Sequence, residues 1–165
     1  MMYQLDYLDS PVGQLAIVAD EAGALRTVAF VERLSRDENW GAVTEVANPF
    51  GLTDRIRAYF AGELAAIDTL PVVFTGTEFQ NLVWQALRTI PCGETWSYGD
   101  LARRIGRPRA VRAVGLANGA NPIAIVVPCH RVIGSNGTLT GYGGGLDRKK
   151  WLLAHESKAL SFDFG

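Results

Sequence analysis

The sequence of 165 residues contains only two cysteines and two histidines, and this scarcity excludes several classes of protein. Cys92 and Cys129 are too few for a disulfide scaffold and are typical of a reducing cytoplasm. No cluster of Cys and His has the spacing of a zinc site, so the sequence predicts no metal ligands. Neither internal repeats nor low-complexity segments occur, which excludes a repeat architecture.

Long hydrophobic runs are also absent. No apolar stretch approaches the about 20 residues that span a bilayer, and Asp6 and Asp9 interrupt the region where a signal peptide needs an apolar core. We therefore expect a cytoplasmic protein without a membrane partner. The hydrophobic content of 48% with 20% charged residues is too apolar for a disordered chain and is ordinary for a globular one.

The net charge of −1 conceals two halves of opposite sign. Residues 1–76 carry five basic and eleven acidic side chains, a net charge of −6, whereas residues 77–165 carry eleven basic and six acidic ones, a net charge of +5. Charge asymmetry between halves indicates an anionic partner for one of them. The second half is therefore the candidate for binding nucleic acid.

Alternating apolar residues in the first third of the chain predict an antiparallel meander that ends near Val31. The polar stretch 32–50 predicts a long connection, and the spacing of apolar residues predicts a helix over 53–63. A short apolar strand is expected within 68–76, where the composition changes. We place the domain boundary there, between residues 1–76 and 77–165.

Two capping boxes open the second half. Thr77 with Gln80 predicts the start of a helix that reaches Ile90, and Ser97 with Asp100 predicts a second one. After a break at 106–108, a third helix is expected over 109–117, and a final helix over 146–156. The second and third predicted helices, joined by a short turn with a glycine, have the form of a helix-turn-helix.

Five arginines and one acidic residue lie between Ser97 and Arg112. This is poor charge pairing for a merely solvated helix face, although that interpretation stays open. Arginine suits contacts with phosphates and bases. A helix-turn-helix that is also basic predicts a nucleic-acid contact.

The densest chemical grouping is Pro128-Cys129-His130-Arg131-Val132, which follows an apolar run expected to be a buried strand or extended segment, residues 123–127. A thiol reacts as the thiolate, so it needs a base or positive potential nearby. His130 could supply the base, with a carboxylate to orient it. In the alternative interpretation, Cys129 is a small buried hydrophobe and His130 a surface residue.

Six glycines lie between Gly134 and Gly145, with Tyr142 among them. Such a segment allows close approach of the backbone to a ligand, or else forms a flexible surface turn. It lacks the ending of a phosphate-binding loop. We expect a structural role for Cys92, in a turn, and a surface or capping position for His155, on the last helix.

These features together resemble the O6-alkylguanine-DNA alkyltransferases, also called methylated-DNA–protein-cysteine methyltransferases. The resemblance rests on the Cys129 motif, on the stretch from Gly115 to Pro122, on Tyr142 and on Leu152 to Glu156. It extends to Phe79–Ile90 and Gly93–Gly99, and so covers residues 77–157 densely.

The resemblance implies an α+β protein with a small ribonuclease-H-like α/β domain followed by a winged helix-turn-helix DNA-binding domain. Its implied activity is direct-reversal DNA repair. An alkyl group moves from O6 of guanine, and less readily from O4 of thymine, to the protein's own cysteine in a single turnover, without a cofactor. The implied partner is double-stranded DNA containing alkylated guanine. We expect a monomer, and the sequence leaves cooperative binding open.

The resemblance also implies a role for individual residues. Cys129 is the nucleophile, His130 the base acting through a water, Glu156 the group that orients His130, and Asn121 a hinge. Tyr142 donates a proton or hydrogen bond to N3 of guanine. The backbone of Cys129, Val132, Gly143 and Gly144 binds the base. Tyr98 rotates the nucleotide, and Arg112 fills the gap in the base stack.

The resemblance further implies that part of the helix-turn-helix lies against DNA. Ala113, Gly115 and Asn118 contact DNA, and Ala110 and Ala117 are among the small residues that let the helix lie close to it.

Two positions depart from some members of the family. Gly143 replaces a serine, which removes a hydrogen bond to O6, and Ala124 replaces a proline, which reduces the fit for bulky adducts. The zinc ligands found in some N-terminal domains have no counterpart.

Three other functions are weighed against alkyl transfer. A lesion-binding relative without transfer usually has tryptophan at the position of Cys129. A cysteine hydrolase could use Cys129, His130 and Glu156. A regulator with a helix-turn-helix needs neither the Cys129 motif nor the glycine-rich segment.

The charge distribution generates a prediction about salt. Because the alkylated base can lie in any sequence, affinity should come mostly from phosphates, and binding should weaken as salt rises. We expect a slope of about −3 to −5 for the logarithm of the binding constant against the logarithm of the salt concentration. Titration of labelled duplex DNA at several salt concentrations measures this slope, and a salt-independent affinity would contradict it.

Overall fold

The computed structural model describes residues 2–34, 41–137, 139 and 141–161, with the backbone alone for 158–161. It divides into two compact units. One unit consists of the chain up to Val73 together with Pro122–Val126, and the other consists of Phe74–Asn121 and the chain from Val127 onward.

A four-stranded sheet forms the first unit. Strands β1 (Met2–Ser10), β2 (Gly13–Ala19) and β3 (Leu25–Phe30) pair antiparallel in sequence order, which confirms the predicted meander. Strand β2 is central, and its residues from Leu15 to Ala19 are all buried. The apolar residues of this strand thus supply the core of the unit.

The fourth strand corrects the prediction for residues 32–50. Strand β4 (Ala42–Glu45) lies within that stretch and pairs parallel to β1, so that the sheet order is β3-β2-β1-β4. Only Val43 of β4 is partly buried, against a cluster that includes Leu5. A single inward side chain in four residues gives no alternation that a sequence pattern can detect.

Helix α1 (Leu52–Phe60) packs on the sheet through the buried side chains of Leu52, Ile56 and Tyr59. It was expected over 53–63 and ends three residues earlier. The carboxylate of Asp6 on β1 accepts hydrogen bonds from the Thr53 hydroxyl at 2.6 Å and from the Asn48 backbone N–H at 2.9 Å. These bonds join the start of the helix to the strand.

The outer edge of β3 is covered by two short segments rather than by a further strand. Leu25 exchanges backbone hydrogen bonds with Pro71 and Val73, at 2.8 and 3.0 Å. Val28 likewise donates to the carbonyl of Pro122 at 3.1 Å and accepts from the Ala124 N–H at 2.8 Å. The strand predicted within 68–76 is therefore reduced to a single bridge at Val72.

The second unit is mainly helical, and its helices begin at the two predicted capping boxes. Thr77 caps α2 (Glu78–Leu87) and Ser97 caps α3 (Tyr98–Arg104), each with both hydrogen bonds of the box. Helix α4 (Val111–Gly119) follows after six residues and completes the predicted helix-turn-helix. The remaining elements are α5 (Leu146–Ser161) and a parallel pair of two-residue strands, β5 (Trp96–Ser97) and β6 (Val132–Ile133).

The indole of Trp84 joins α2 to α4. Its Nε1–H donates to the buried carbonyl of Ala117 at 2.8 Å. A Cβ atom on Gly76 would lie 2.6 Å from this ring, so the chain passes over Trp84 at a distance that only glycine permits. In the part of the chain that the structure describes, no helix has the length and apolarity to cross a membrane.

The capping box of α2 generates a stability prediction. Thr77→Ala removes the hydroxyl that accepts from the Gln80 N–H at 3.1 Å, and we expect a loss of about 1 kcal/mol in the free energy of unfolding. Urea denaturation followed by circular dichroism measures it. The matched control is Thr95→Ala, an exposed threonine outside any helix, which should change stability by less than about 0.5 kcal/mol. Equal stability of the two variants would contradict this role of the cap.

Candidate active site

The chain makes a strained turn shortly before Cys129. Ile125 has a positive φ of 73°, and the Val126 N–H donates to the Ala124 carbonyl at 2.8 Å across it. This is a γ-turn of the rare form, and positive φ at a β-branched residue is costly. The strand or extended segment expected over 123–127 is therefore wrong at its centre. The apolar residues correctly indicated burial, but burial alone does not determine whether the backbone is extended or turned.

Residues Cys129–Arg131 form one turn of 3₁₀-helix, which we call the reactive turn, and all three side chains are buried. Cys129 is 7% exposed and His130 is fully buried, so the alternative interpretation of His130 as a surface residue is wrong. The Cys129 N–H donates to the Val127 carbonyl at 2.8 Å. The cysteine therefore lies in a rigid backbone frame.

Asn121 stabilises this frame from the end of the helix-turn-helix. Its Nδ2 donates to the Val127 carbonyl at 2.8 Å. Burial raises the pKa of the Cys129 thiol, while a hydrogen bond from Asn121 and the positive charge of Lys149 act in the opposite direction. The resting cysteine is therefore a neutral thiol, and its reaction requires a base.

Asn118 and Ala117 are not placed as expected. Both are buried at 3% exposure on the inner side of α4, and Asn118 Nδ2 donates to the Cys129 carbonyl at 3.4 Å. The Asn118 side chain therefore supports the reactive turn, and the expectation that these residues lie against DNA is wrong. Their positions follow from the helical period, because Val114, Ala117 and Asn118 share one buried stripe.

The structure brings together His130 and Glu156, the two residues expected to act as the base and as the group that orients it. His130 Nε2 lies 2.7 Å from Glu156 Oε2, and both side chains are at most 1% exposed. Burial lowers the pKa of His130, which leaves a neutral imidazole. Burial works to raise the pKa of Glu156, but the hydrogen bonds and charges of His130 and Arg131 outweigh it and hold that pKa well below its usual range.

With Glu156 ionised, the proton of the neutral imidazole resides on Nε2. His130 Nδ1 is then an acceptor. It is buried and has no hydrogen-bond partner among the described residues. This nitrogen is available to receive a proton.

Two charged residues around the site had no assigned role in the sequence analysis. Arg131 contacts the Glu156 carboxylate with two nitrogens, at 2.8 and 3.0 Å. Lys149 is fully buried, and its Nζ donates to the Val132 carbonyl at 2.6 Å. The sequence did contain a signal for the burial of Lys149. Lys149, Leu152 and Glu156 are spaced i, i+3 and i+7, so they lie on one face of α5.

The backbone groups expected to bind guanine already have partners within the protein. The Val132 carbonyl accepts from Lys149, and the Cys129 carbonyl accepts from the Val132 N–H. A carbonyl oxygen has two lone pairs, so that of Val132 can accept a further bond. The Cys129 carbonyl already accepts a second one, the long bond of 3.4 Å from Asn118. Tyr142, Gly143 and Gly144 lie in a half-buried turn in which the Gly145 N–H donates to the Tyr142 carbonyl at 2.9 Å.

The helix-turn-helix has exposed basic side chains next to residues with small side chains. Arg112 and Ala113 are exposed in the first turn of α4. Tyr98, at the start of α3, lies against Gly115, because a Cβ atom on that glycine would be 3.8 Å from the tyrosine ring. The structure therefore brings together Tyr98 and Gly115 and leaves Arg112 open to solvent.

The five arginines between Ser97 and Arg112 divide into two groups. Arg103 pairs with Asp100, and the Arg104 guanidinium stacks on Trp96 at 4.2 Å from the ring centre. The other three arginines are exposed, and none of them forms an ion pair with any described residue: Arg107, Arg109 and Arg112.

Comparison with known families gives two matches that together span almost the whole chain. Residues 3–74 match the ribonuclease-like domain of 6-O-methylguanine DNA methyltransferase. Residues 78–158 match the DNA-binding domain of the same family.

Individual relatives agree with these matches. The chain is 52% identical to a methylated-DNA–protein-cysteine methyltransferase of Shigella flexneri, over 92% of this chain and 94% of the relative. A relative of the same name from Mycolicibacterium paratuberculosis is 50% identical, over 95% and 94%.

Solved structures are similar over the same extent. The crystal structure of Mycobacterium tuberculosis OGT in complex with DNA is 49% identical, with a TM-score of 0.82 over 96% of this chain and 94% of that chain. The archaeal O6-methylguanine-DNA methyltransferase of Pyrococcus kodakaraensis gives 25% identity and a TM-score of 0.67, over 94% and 99%. The implied two-domain α+β fold is confirmed, and the chain belongs to the 6-O-methylguanine DNA methyltransferase family.

Proposed function

We propose that this protein repairs alkylated DNA by transferring an alkyl group from O6 of guanine, and less readily from O4 of thymine, to the sulfur of Cys129. The observation that carries the proposal is the buried arrangement of Cys129 beside the His130–Glu156 pair, in a chain of this family. The thioether that forms is stable, so each molecule reacts once. Its partner is double-stranded DNA, and a monomer is sufficient.

The first step is removal of the Cys129 proton. The thiol is neutral at rest because burial raises its pKa, and the neutral His130 offers Nδ1 as the acceptor. A water molecule that satisfies this buried nitrogen can relay the proton. Glu156 then stabilises the imidazolium, as the carboxylate does in other nucleophile–histidine relays.

The second step forms the S–C bond and breaks the bond between O6 and the alkyl carbon. The electron pair of that bond moves into the guanine ring, and a proton donated by Tyr142 at N3 makes the leaving base neutral. Asn121 and Lys149 act on the thiolate, the first by a hydrogen bond and the second by its charge. The backbone of Val132, Gly143 and Gly144 orients the base.

The alkyl carbon of a stacked guanine is out of reach, so the nucleotide must leave the helix at a cost of a few kcal/mol. Tyr98 and Arg112 supply the groups for this step. Arg112 is exposed on α4 without an ion pair among the described residues, and its planar guanidinium can stack in the gap that the flipped base leaves. Gly115 has no side chain and that of Ala113 is small, so helix α4 can approach DNA closely.

The stoichiometry of the reaction tests the proposal. Incubation with duplex DNA containing O6-methylguanine should add the mass of one methyl group to the intact protein and no more. Cys129→Ser should abolish the addition, whereas Cys92→Ser, which replaces the half-buried second cysteine, should retain it. Addition of a methyl group to Cys129→Ser would contradict the proposal. Hydrolysis of many ester molecules by each protein molecule would instead favour a cysteine hydrolase.

Base flipping is tested separately from chemistry by comparing two substrates. For Arg112→Ala, the ratio of the methylation rate on duplex DNA to the rate on the free base O6-methylguanine should fall on the order of tenfold, since only the duplex requires flipping. Time-resolved mass spectrometry of Cys129 measures both rates. Arg33→Ala, an exposed arginine of the first unit, serves as control and should leave the ratio unchanged; an unchanged ratio for Arg112→Ala would refute its role.

A further inference from the structure

Arg131 is a buried guanidinium in the reactive turn to which the proposed reaction gives no role. It is 4% exposed, and all its described partners are buried. Nε donates to Glu156 Oε1 at 2.8 Å, Nη2 to Glu156 Oε2 at 3.0 Å, and Nη1 to the Ile90 carbonyl at 2.8 Å. A guanidinium held this way is costly to bury unless its charge is compensated.

Arg131 and His130 share one carboxylate. Glu156 Oε2 accepts from Arg131 Nη2 and also lies 2.7 Å from His130 Nε2. The bidentate ion pair with Arg131 already compensates the single negative charge of Glu156. A protonated His130 would therefore place a second, uncompensated positive charge in a buried cluster.

The other charged groups around His130 act in the same direction. On α5, Lys149 adds a further positive charge, and Glu156 is the one carboxylate among the described residues that interacts with the imidazole. Helix α2, which also packs on this turn, has a single charged residue, the exposed Glu78 in its first turn. Burial, the strongest influence, lowers the pKa of His130 further.

We propose that Arg131 is a positioning residue of the reaction, which neutralises Glu156 so that His130 stays an uncharged imidazole with Nδ1 ready to accept the Cys129 proton. Without Arg131, the buried carboxylate would be compensated by a protonated His130, which cannot act as a base. The proposal rests on the proposed alkyl transfer. A purely structural role, in which the ion pair only joins α5 to the reactive turn, is the alternative that the experiment must separate.

The test combines the titration of His130 with the pH profile of methyl transfer. ¹⁵N NMR of protein with ¹⁵N-labelled histidine rings reports the protonation state of His130 directly. Single-turnover methylation of Cys129 by duplex DNA containing O6-methylguanine gives the rate of methyl transfer. In the wild-type protein, His130 should stay neutral through the neutral range. In Arg131→Met, its pKa should rise, so that His130 is protonated at neutral pH.

The rate of Arg131→Met should then fall about tenfold for each pH unit below the new pKa and recover as pH rises. If Arg131 were merely structural, the rate would fall equally at every pH and the titration of His130 would not move. That result would overturn the proposal. The control is Arg26→Met, which removes the ion pair with Asp20 in the first unit and should alter neither measurement.

Two further variants test the charge itself. Arg131→Lys keeps the positive charge and should keep His130 neutral, even if transfer is slower. Arg131→Met/Glu156→Gln removes both charges and should return His130 to its neutral form, whereas a proton retained in this double variant would contradict the proposal. If Arg131→Met does not fold, Arg131→Gln replaces it in the same experiments. The glutamine amide is uncharged but can keep one hydrogen bond to Glu156.

The outcome is separable from that of the proposed function. If wild-type Cys129 is not methylated at any pH, the alkyl transfer itself fails. If Cys129 is methylated but the titration of His130 is the same in wild type and Arg131→Met, only the role of Arg131 fails.

Discussion

The buried carboxylate of Glu156 is the interaction on which the active site depends. It accepts from His130 and from two nitrogens of Arg131, so three side chains from α5 and the reactive turn are joined at one group. Because the cluster is buried, any loss of one partner leaves a charge without compensation. The same carboxylate therefore holds the turn in place and controls whether the neighbouring histidine carries a proton.

Backbone constraint is the second element of the design. The γ-turn at Ile125 and the turn at Pro128 bend the chain sharply on either side of Val127, whose carbonyl accepts from Asn121. Strain of this kind persists only where the surroundings over-determine the conformation. Part of that support comes from the edge of β3, where Val28 pairs with Pro122 and Ala124. The turn at Ile125 and the edge strand β3 that supports it thus belong to the same unit.

The basic surface illustrates how structure refines a count of charges. Five arginines lie between Ser97 and Arg112, yet Arg103 is paired with Asp100 and Arg104 is stacked on Trp96. Arginines with an internal partner contribute less to binding an external phosphate, because the existing contact must be given up or shared. The remaining three lie between the two helices and at the start of α4, where a duplex can reach them.

The sequence by itself determined the features that depend on interactions between residues close together in the chain. The capping boxes at Thr77 and Ser97, the antiparallel meander and the helix-turn-helix all follow from hydrogen bonds and hydrophobic periods within a few residues, and the motif around Cys129 with its flanks was sufficient for the family. Tertiary structure decided β4, the turn at Ile125, the inward position of Asn118 and the burial of Lys149 beside the reactive turn. Partners distant in the chain are involved: β4 pairs parallel to β1, and Lys149 donates to the carbonyl of Val132, 17 residues away. A sequence shows which residues are charged or apolar, but only the packed fold determines which charge compensates which.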